Sequence, residues 1–281
     1  MKTGLVLEGG AMRGLFTAGI LDVMMEEGIY VDGLIGVSAG AAFGCSYKSG
    51  QKGRTLRYNL KYAKDKRYCS LYSLITTGDL YGADFCYHRL PEELDIFDNQ
   101  AFTENPMEFY LVCTDVRTGK PVYHQCETAD YTTMEWFRAS ASLPLVSRVV
   151  SVDGYELMDG GIADSIPLTY FESIGYEKNI VILTQPKEYR KTANKAMPLA
   201  KWKMRKYPNM IARMERRHLD YNSTLDAIAG RENDPNLLVL QPECPLPIKR
   251  IEKNPETLQR VYDMGRDLAL RRLEEIRAFV G

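Results

Sequence analysis

Apolar residues change their period early in this chain. Thr3 to Leu7 is a short apolar run, after which Leu15, Phe16, Ala18, Gly19, Ile20, Leu21, Val23 and Met24 recur at helical spacing. Between them lies Glu8-Gly9-Gly10-Ala11-Met12-Arg13-Gly14, so the pattern predicts strand, glycine loop and helix. Gly28 closes that helix and Tyr30 to Ile35 supplies the next strand, a βαβ unit expected to be parallel and right-handed. Both strand-end loops then fall at the carboxyl edge of the sheet, where open α/β sheets place their sites.

Further along, Gln51 to about Phe102 is polar and aromatic with helical stretches, a helical excursion suited to covering a site. Glu108 to Asp115 and Pro121 to Gln125 read as paired strands around Thr118-Gly119-Lys120, and Thr132 to Ser142 reads as a helix ending before Pro144. Asp153-Gly154 between alternating apolar residues is a two-residue hairpin turn, and its returning strand ends at Asp159-Gly160-Gly161. Pro167 to Ser173 continues as helix, with buried strands at Asn179 to Thr184 and Asn236 to Leu240. Asn254-Pro255 caps a last helix expected to run to about Val280.

Composition narrows this picture. The chain has 281 residues, 45% of them hydrophobic, enough for one large α/β domain over 1–281. Within it the expected parts are a core of about 4–185, a basic excursion over 187–217, and a C-terminal strand and long helix over 236–280. A formal net charge of -1 gives no global attraction to nucleic acid, and no nucleic-acid partner is expected. No apolar stretch has the length of a signal peptide or a membrane span, so a cytoplasmic location is expected. Cys45, Cys69, Cys86, Cys113, Cys126 and Cys244 are scattered, as expected of reduced thiols. His88, His124 and His218 stand alone, and the glycine loop lacks the Lys-Ser/Thr of a P-loop, so neither a metal nor a cofactor is expected.

Lys187 to Arg217 departs from this neutrality, with eleven basic residues against Glu188 and Glu215. Tyr189, Met197, Trp202, Met204, Tyr207 and Met210 are interleaved, a mixture suited to an anionic lipid surface. Peripheral contact at the inner face of a membrane is the functional expectation for this stretch. A solvated helical excursion is the bland one.

Chemistry enters at Gly36-Val37-Ser38-Ala39-Gly40, a G-x-S-x-G motif at the end of an apolar run. A serine on a sharp strand-to-helix turn needs glycine two residues to either side, because a Cβ there would strike the neighbouring strand or helix. The turn holds the Ser38 hydroxyl at the positive end of the following helix, which favours developing negative charge. Three features coincide: a glycine loop after the first strand, G-x-S-x-G after the second, and Asp-Gly-Gly after a later one.

This arrangement resembles the patatin-like phospholipase family of the bacterial type, over roughly Gly4 to Leu183 and including Arg138-Ala139-Ser140-Ala141-Ser142-Leu143-Pro144. The resemblance implies a three-layer α/β/α fold with a mostly parallel central sheet and helical excursions. It makes Ser38 the nucleophile and Asp159 its proton acceptor, with Gly9, Gly10, Ala11 and Arg13 forming an oxyanion hole and Gly14, Gly36, Gly40, Gly160 and Gly161 supporting the turns. Ala11 stands where the family usually has glycine; the N–H survives that change, but alanine resists positive φ. The implied activity is hydrolysis of a lipid or other acyl ester through an acyl-serine, without calcium or any other cofactor. A Ser38, Asp159, His218 triad, an acyltransferase using the same serine, and a lipid-binding protein without activity are the rival readings. Substrate identity and oligomeric state are not specified by these residues.

Overall fold

The computed structural model describes all 281 residues. Its eight strands are β1 (Thr3–Leu7), β2 (Gly33–Val37), β3 (Glu108–Asp115), β4 (Pro121–Gln125), β5 (Val150–Val152), β6 (Tyr155–Asp159), β7 (Lys178–Ile182) and β8 (Leu237–Leu240). The helices are α1 (Gly14–Glu26), α2 (Ala39–Lys48), α3 (Arg54–Tyr62), α4 (Leu71–Thr77), α5 (Asn99–Glu104), α6 (Tyr131–Ser140), α7 (Leu168–Ser173), α8 (Met197–Lys203), α9 (Pro208–Ala229), α10 (Pro255–Arg271) and α11 (Leu273–Val280), with a π-helical stretch over Phe85–Leu94. The expected helical excursion is thus real and consists of α3, α4, the π-helical stretch and α5.

Strands β3, β2, β1, β7 and β8 are neighbours in that order and all parallel. Their side chains alternate between two cores. Leu5, Leu7, Leu34, Leu111, Ile180 and Ile182 pack with Leu15, Phe16, Tyr47, Phe137 and Val261 from α1, α2, α6 and α10. Val6, Ile35, Val37, Val112, Val181 and Leu183 face the other way, onto Phe171, Tyr221, Leu225 and Ile228 from α7 and α9. A sheet buried on both faces needs continuous apolar strands, which is why these runs showed no polar alternation. The result is the three-layer α/β/α architecture.

One departure from a simple parallel sheet positions the site. β4 pairs with β3 over Tyr110–Thr114, and β2 pairs with it over Glu108–Val112, so these two occupy opposite edges of β3. β6 pairs with β3 over Cys113–Asp115, where β4 still fills one edge. It must therefore lie on the edge that β2 has just left. β2 ends with Val37 opposite Val112, and β6, running the other way, ends with Asp159 opposite Cys113. Two strands share one lane and meet head-on, with Ser38 following one and Asp159 closing the other.

Several boundaries shift by one or two residues, and two larger differences from the sequence pattern have a visible cause. β2 begins at Gly33 rather than Tyr30, because Tyr30 stacks on Tyr47 outside the sheet and the Asp32 carboxylate accepts the Thr3 N–H at 2.7 Å. The last helix breaks at Arg272, whose backbone leaves the helical region (φ -107°, ψ 17°) while its guanidinium donates to the Val239 carbonyl of β8 at 2.6 Å. Asp153 and Gly154 take φ of 47° and 79°, as a two-residue hairpin turn demands.

α10 lies directly against α1 because two glycines let their backbones touch. A Cβ on Gly19 would come within 2.1 Å of the Tyr262 carbonyl oxygen, and one on Gly265 within 1.9 Å of that of Phe16. Gly265→Ala is therefore expected to destabilise the fold by about 2–3 kcal/mol through overpacking, read as a lower urea midpoint with unchanged slope.

Candidate active site

Ser38 leaves β2 with φ 54° and ψ -120°, a conformation that costs a non-glycine residue about 1–3 kcal/mol. The packing around it enforces this. A Cβ on Gly36 would meet the backbone of Ala41 at 2.6 Å, and one on Gly40 would meet the Leu7 carbonyl oxygen at 2.5 Å. Glycine on both sides of the serine thus lets α2 press against β2 and β1.

The Ser38 hydroxyl donates to Asp159 Oδ2 at 2.7 Å. Its backbone N–H donates to Ser140 Oγ at 2.9 Å, and the Ser140 hydroxyl donates in turn to the Val112 carbonyl at 2.7 Å. Ser140, at the end of α6, therefore ties the strained turn to β3. Asp159 is 2% exposed. Its Oδ1 accepts the Gly161 N–H at 2.8 Å, its own N–H donates to the Ser142 carbonyl at 2.8 Å, and its carbonyl accepts the Thr114 hydroxyl at 2.8 Å. A Cβ on Gly160 would lie 2.0 Å from the Val112 carbonyl oxygen, so only glycine lets the chain turn away this close to β3. Burial pushes the Asp159 carboxyl above the 3.8 ordinary for aspartate. The Arg217 charge, the Ser38 and Gly161 hydrogen bonds and the Lys191 charge only partly offset it.

The glycine loop faces the same serine. A Cβ on Gly9 would fall 2.9 Å from the Val37 carbonyl oxygen and 3.1 Å from Ser38 Cβ, and one on Gly10 would fall 2.7 Å from the Thr184 hydroxyl. Ala11 does adopt positive φ, 49°, at a cost of about 1–2 kcal/mol for an L-residue. The N–H groups of Gly9, Gly10 and Ala11 find no backbone acceptor in the chain, which leaves them free to meet an oxyanion. Arg13 ends the short 3-10 turn after them with a buried, unpartnered Nε, and Gly14 opens α1 against the Phe43 ring. Beneath the loop, buried Glu8 accepts from the Thr184 N–H (2.6 Å) and hydroxyl (3.0 Å) and from the Tyr221 hydroxyl (2.7 Å).

Ser38 and Ala11 open onto a cavity of about 290 Å³ lined by 25 residues, 20 of them hydrophobic. Tyr58, Leu90, Phe137 and Leu143 are among them, contributed by the helical excursion, α6 and the segment after α6. Arg250 stands on the same wall. Nearby, the Lys191 ammonium sits 4.0 Å from the centre of the Tyr221 ring. Burial, with Arg217, Arg250 and Arg13 around it, lowers that ammonium to about 7 despite the opposing pull of Glu8.

Histidine takes no part in this geometry. His88 is bound to Glu135 at 2.9 Å, His124 stacks on Trp136, and His218 lies on α9 without a bond to Ser38 or Asp159. Both oxygens of Asp159 are occupied by Ser38 and Gly161, so serine and aspartate meet without an intermediary. Ser140, Glu8, Lys191, Arg217, Tyr221 and Arg250 join the neighbourhood without having been singled out by motif. Ser140 and Glu8 carried a signal through their places in the quoted runs, and Lys191 and Arg217 through the basic stretch, which was read as a membrane-facing surface rather than as part of the site.

Comparison with known proteins identifies the family of this chain. Residues 5–172 match the family described as patatin-like phospholipase, and the chain belongs to that family. Residues 207–281 match a domain of unknown function, DUF6363. The uncharacterised protein YjjU of Escherichia coli is 24% identical over 94% of this chain and 75% of its own length. Lysophospholipase nte1 of Aspergillus oryzae is 26% identical over 62% of this chain but only 11% of that protein, and an uncharacterised NTE family protein of Mycobacterium bovis is 26% identical over 64% of this chain and 48% of its own length. The crystal structure of VipD from Legionella pneumophila superposes with a TM-score of 0.48 at 14% identity, over 98% of this chain and 67% of that one.

Removing the Ser140 hydroxyl leaves the Ser38 N–H without its acceptor. Ser140→Ala is expected to lower stability by about 1–3 kcal/mol in urea denaturation. A stability equal to the parent would show that the turn does not depend on this bond.

Proposed function

We propose that this chain hydrolyses lipid acyl esters through Ser38 and Asp159. The observation that carries the reading is the 2.7 Å hydrogen bond from the Ser38 hydroxyl to a buried carboxylate, at the mouth of an apolar cavity. The acyl chain lies in that cavity and the ester carbonyl carbon faces Ser38 Oγ. Attack forms the Oγ–C bond while the hydroxyl proton passes to Asp159 Oδ2, and the carbonyl oxygen becomes an oxyanion facing the N–H groups of Gly9, Gly10 and Ala11. Collapse breaks the bond to the alcohol oxygen, which leaves with the proton from Asp159. Water then attacks the acyl-serine, giving its proton to Asp159, and the acid departs as Ser38 recovers its hydrogen. A carboxylate with a raised affinity for protons is a better base for this exchange than an exposed aspartate.

The cations favour a phosphate-bearing lipid over a neutral one. Lys191 and Arg250 form no ion pair, and Arg13 holds a buried Nε without a partner, so positive charge collects at the site without an equal counter-charge. Glu8, whose charge acts on Lys191, already spends both oxygens on Thr184 and Tyr221. A lysophospholipid or phospholipid headgroup would supply the missing anion. The basic stretch is distributed unevenly around this centre: Lys187, Arg190, Lys201 and Arg213 are paired with Glu232, Asp226, Glu215 and Asp220. Trp202, at 66% exposure, and Leu199 leave α8 as its lipid-facing part, close in sequence to the exposed Lys206. No helix is long and apolar enough to cross a membrane.

Turnover is expected to fall on the acid side as Asp159 takes up a proton, with a midpoint above 3.8 because burial raises that carboxyl. A pH–rate profile on a soluble aryl ester checks this, and a flat rate down to about pH 4 would remove Asp159 from the mechanism. Lys191 must be charged to hold an anion, so KM for a lysophospholipid is expected to rise as pH passes upward through about 7. KM for a monoglyceride of the same acyl chain should stay level. Lys191→Met should raise the lysophospholipid KM about tenfold and erase the difference in pH dependence, consistent with loss of one charge-assisted contact.

A further inference from the structure

α9 runs across both halves of the site. Arg213, Arg217 and Tyr221 are spaced by four residues and therefore share one face of that helix. Arg213 donates to the Ala163 carbonyl and Arg217 Nε donates to the Gly161 carbonyl, so two guanidinium groups grip the turn that follows Asp159. A Cβ on Gly161 would lie 3.0 Å from Asp159 Oδ1 and 3.2 Å from the Arg217 guanidinium, which places the cation beside the carboxylate. One turn further along, Tyr221 donates to Glu8 at 2.7 Å, directly before the glycine loop. The two loops that meet at Ser38 thus come from distant parts of the sequence and are held by one helical stripe.

We propose that this face of α9 is a clamp that sets the two catalytic loops against each other, and that Arg217 is the positioning residue that holds its charge and the Asp159 turn beside Ser38. The proposal rests on the reading of Ser38 as nucleophile and Asp159 as its base. It gives a role to the segment over 207–281, whose matching domain carries no assigned function. That segment supplies Arg213, Arg217 and Tyr221, while the nucleophile and base come from residues 5–172. The charged and titratable groups facing Asp159 include the Ser38 hydroxyl at the start of α2, Arg217 on α9, Lys191 after β7, Cys113 on β3 and Tyr87 in the π-helical stretch. Among these Arg217 exerts the strongest pull toward the carboxylate form, and it does so against the cost of burial.

The test follows Asp159 itself as well as turnover. Titration of the full chain by carbon-13 aspartate NMR, with Asp159→Asn to assign the resonance, reads the carboxyl directly. Arg217→Gln is expected to move its midpoint toward neutral pH, so that aryl-ester turnover at about pH 6 falls about tenfold relative to the alkaline plateau. Arg217→Lys keeps the charge and should hold the midpoint close to the parent. An unmoved midpoint in folded Arg217→Gln overturns the assignment even if no ester is ever hydrolysed. Loss of turnover in the parent chain would instead strike the functional reading alone. Tyr221→Phe keeps the ring, and is expected to lower the plateau about fivefold, the equivalent of one net hydrogen bond, without moving the midpoint. A Tyr221→Phe plateau equal to the parent would overturn the clamp, whether or not Arg217→Gln folds.

Discussion

A carboxylate taken out of water has to be met by donors, and Asp159 organises this protein through that requirement. At 2% exposure its two oxygens are answered by the Ser38 hydroxyl and the Gly161 N–H, and its backbone by Ser142 and Thr114. Those four partners come from α2, the turn after β6, the segment after α6, and β3. Moving Ser38 or Gly161 would leave a carboxylate oxygen unanswered and moving Ser142 or Thr114 a buried backbone group, each of which is costly, so the meeting of these elements is enforced by polar pairing as well as by packing.

Sheet topology makes the meeting possible. β2 and β6 run toward each other along one edge of β3, and the gap where they meet is filled by Ser38 and Asp159. Each strand end then needs a sharp turn with close backbone approach: Gly36 and Gly40 on one side, Gly160 on the other. The strain of Ser38 is contained by Ser140, which hands the hydrogen bond on to Val112. The serine–aspartate contact is thereby built on rigid strands, with much of the apolar cavity wall made from the more loosely patterned helical excursion.

What could be read from the sequence follows from how far each constraint reaches along the chain. Ser38 and the glycine loop were legible because their constraints are local: glycine two residues to either side, an apolar run before, small residues after. Asp159 was legible through Gly160 and Gly161, and the Asp153-Gly154 hairpin that delivers it is equally local. The family resemblance that these motifs carried holds over residues 5–172. Arg217, Tyr221 and Glu8 were not legible as a set, because their contacts join residues on α9 to loops far away in sequence. The basic stretch read as one surface feature, yet Arg213 and Arg217 turn inward to carbonyl groups while α8 faces outward. The break at Arg272 escaped the helical period because its cause is a contact with β8.

The central claim is that the Ser38 hydroxyl is an activated nucleophile paired with Asp159. The most direct measurement is intact mass after incubation with a fluorophosphonate, on the parent chain, Ser38→Ala and Asp159→Asn. One adduct is expected on the parent, none on Ser38→Ala, and labelling slowed by about a hundredfold or more on Asp159→Asn, the loss expected of a general base. Equal labelling of the parent and Ser38→Ala, or of the parent and Asp159→Asn, would contradict it. Absence of any adduct on folded parent, with and without anionic vesicles, would contradict it as well.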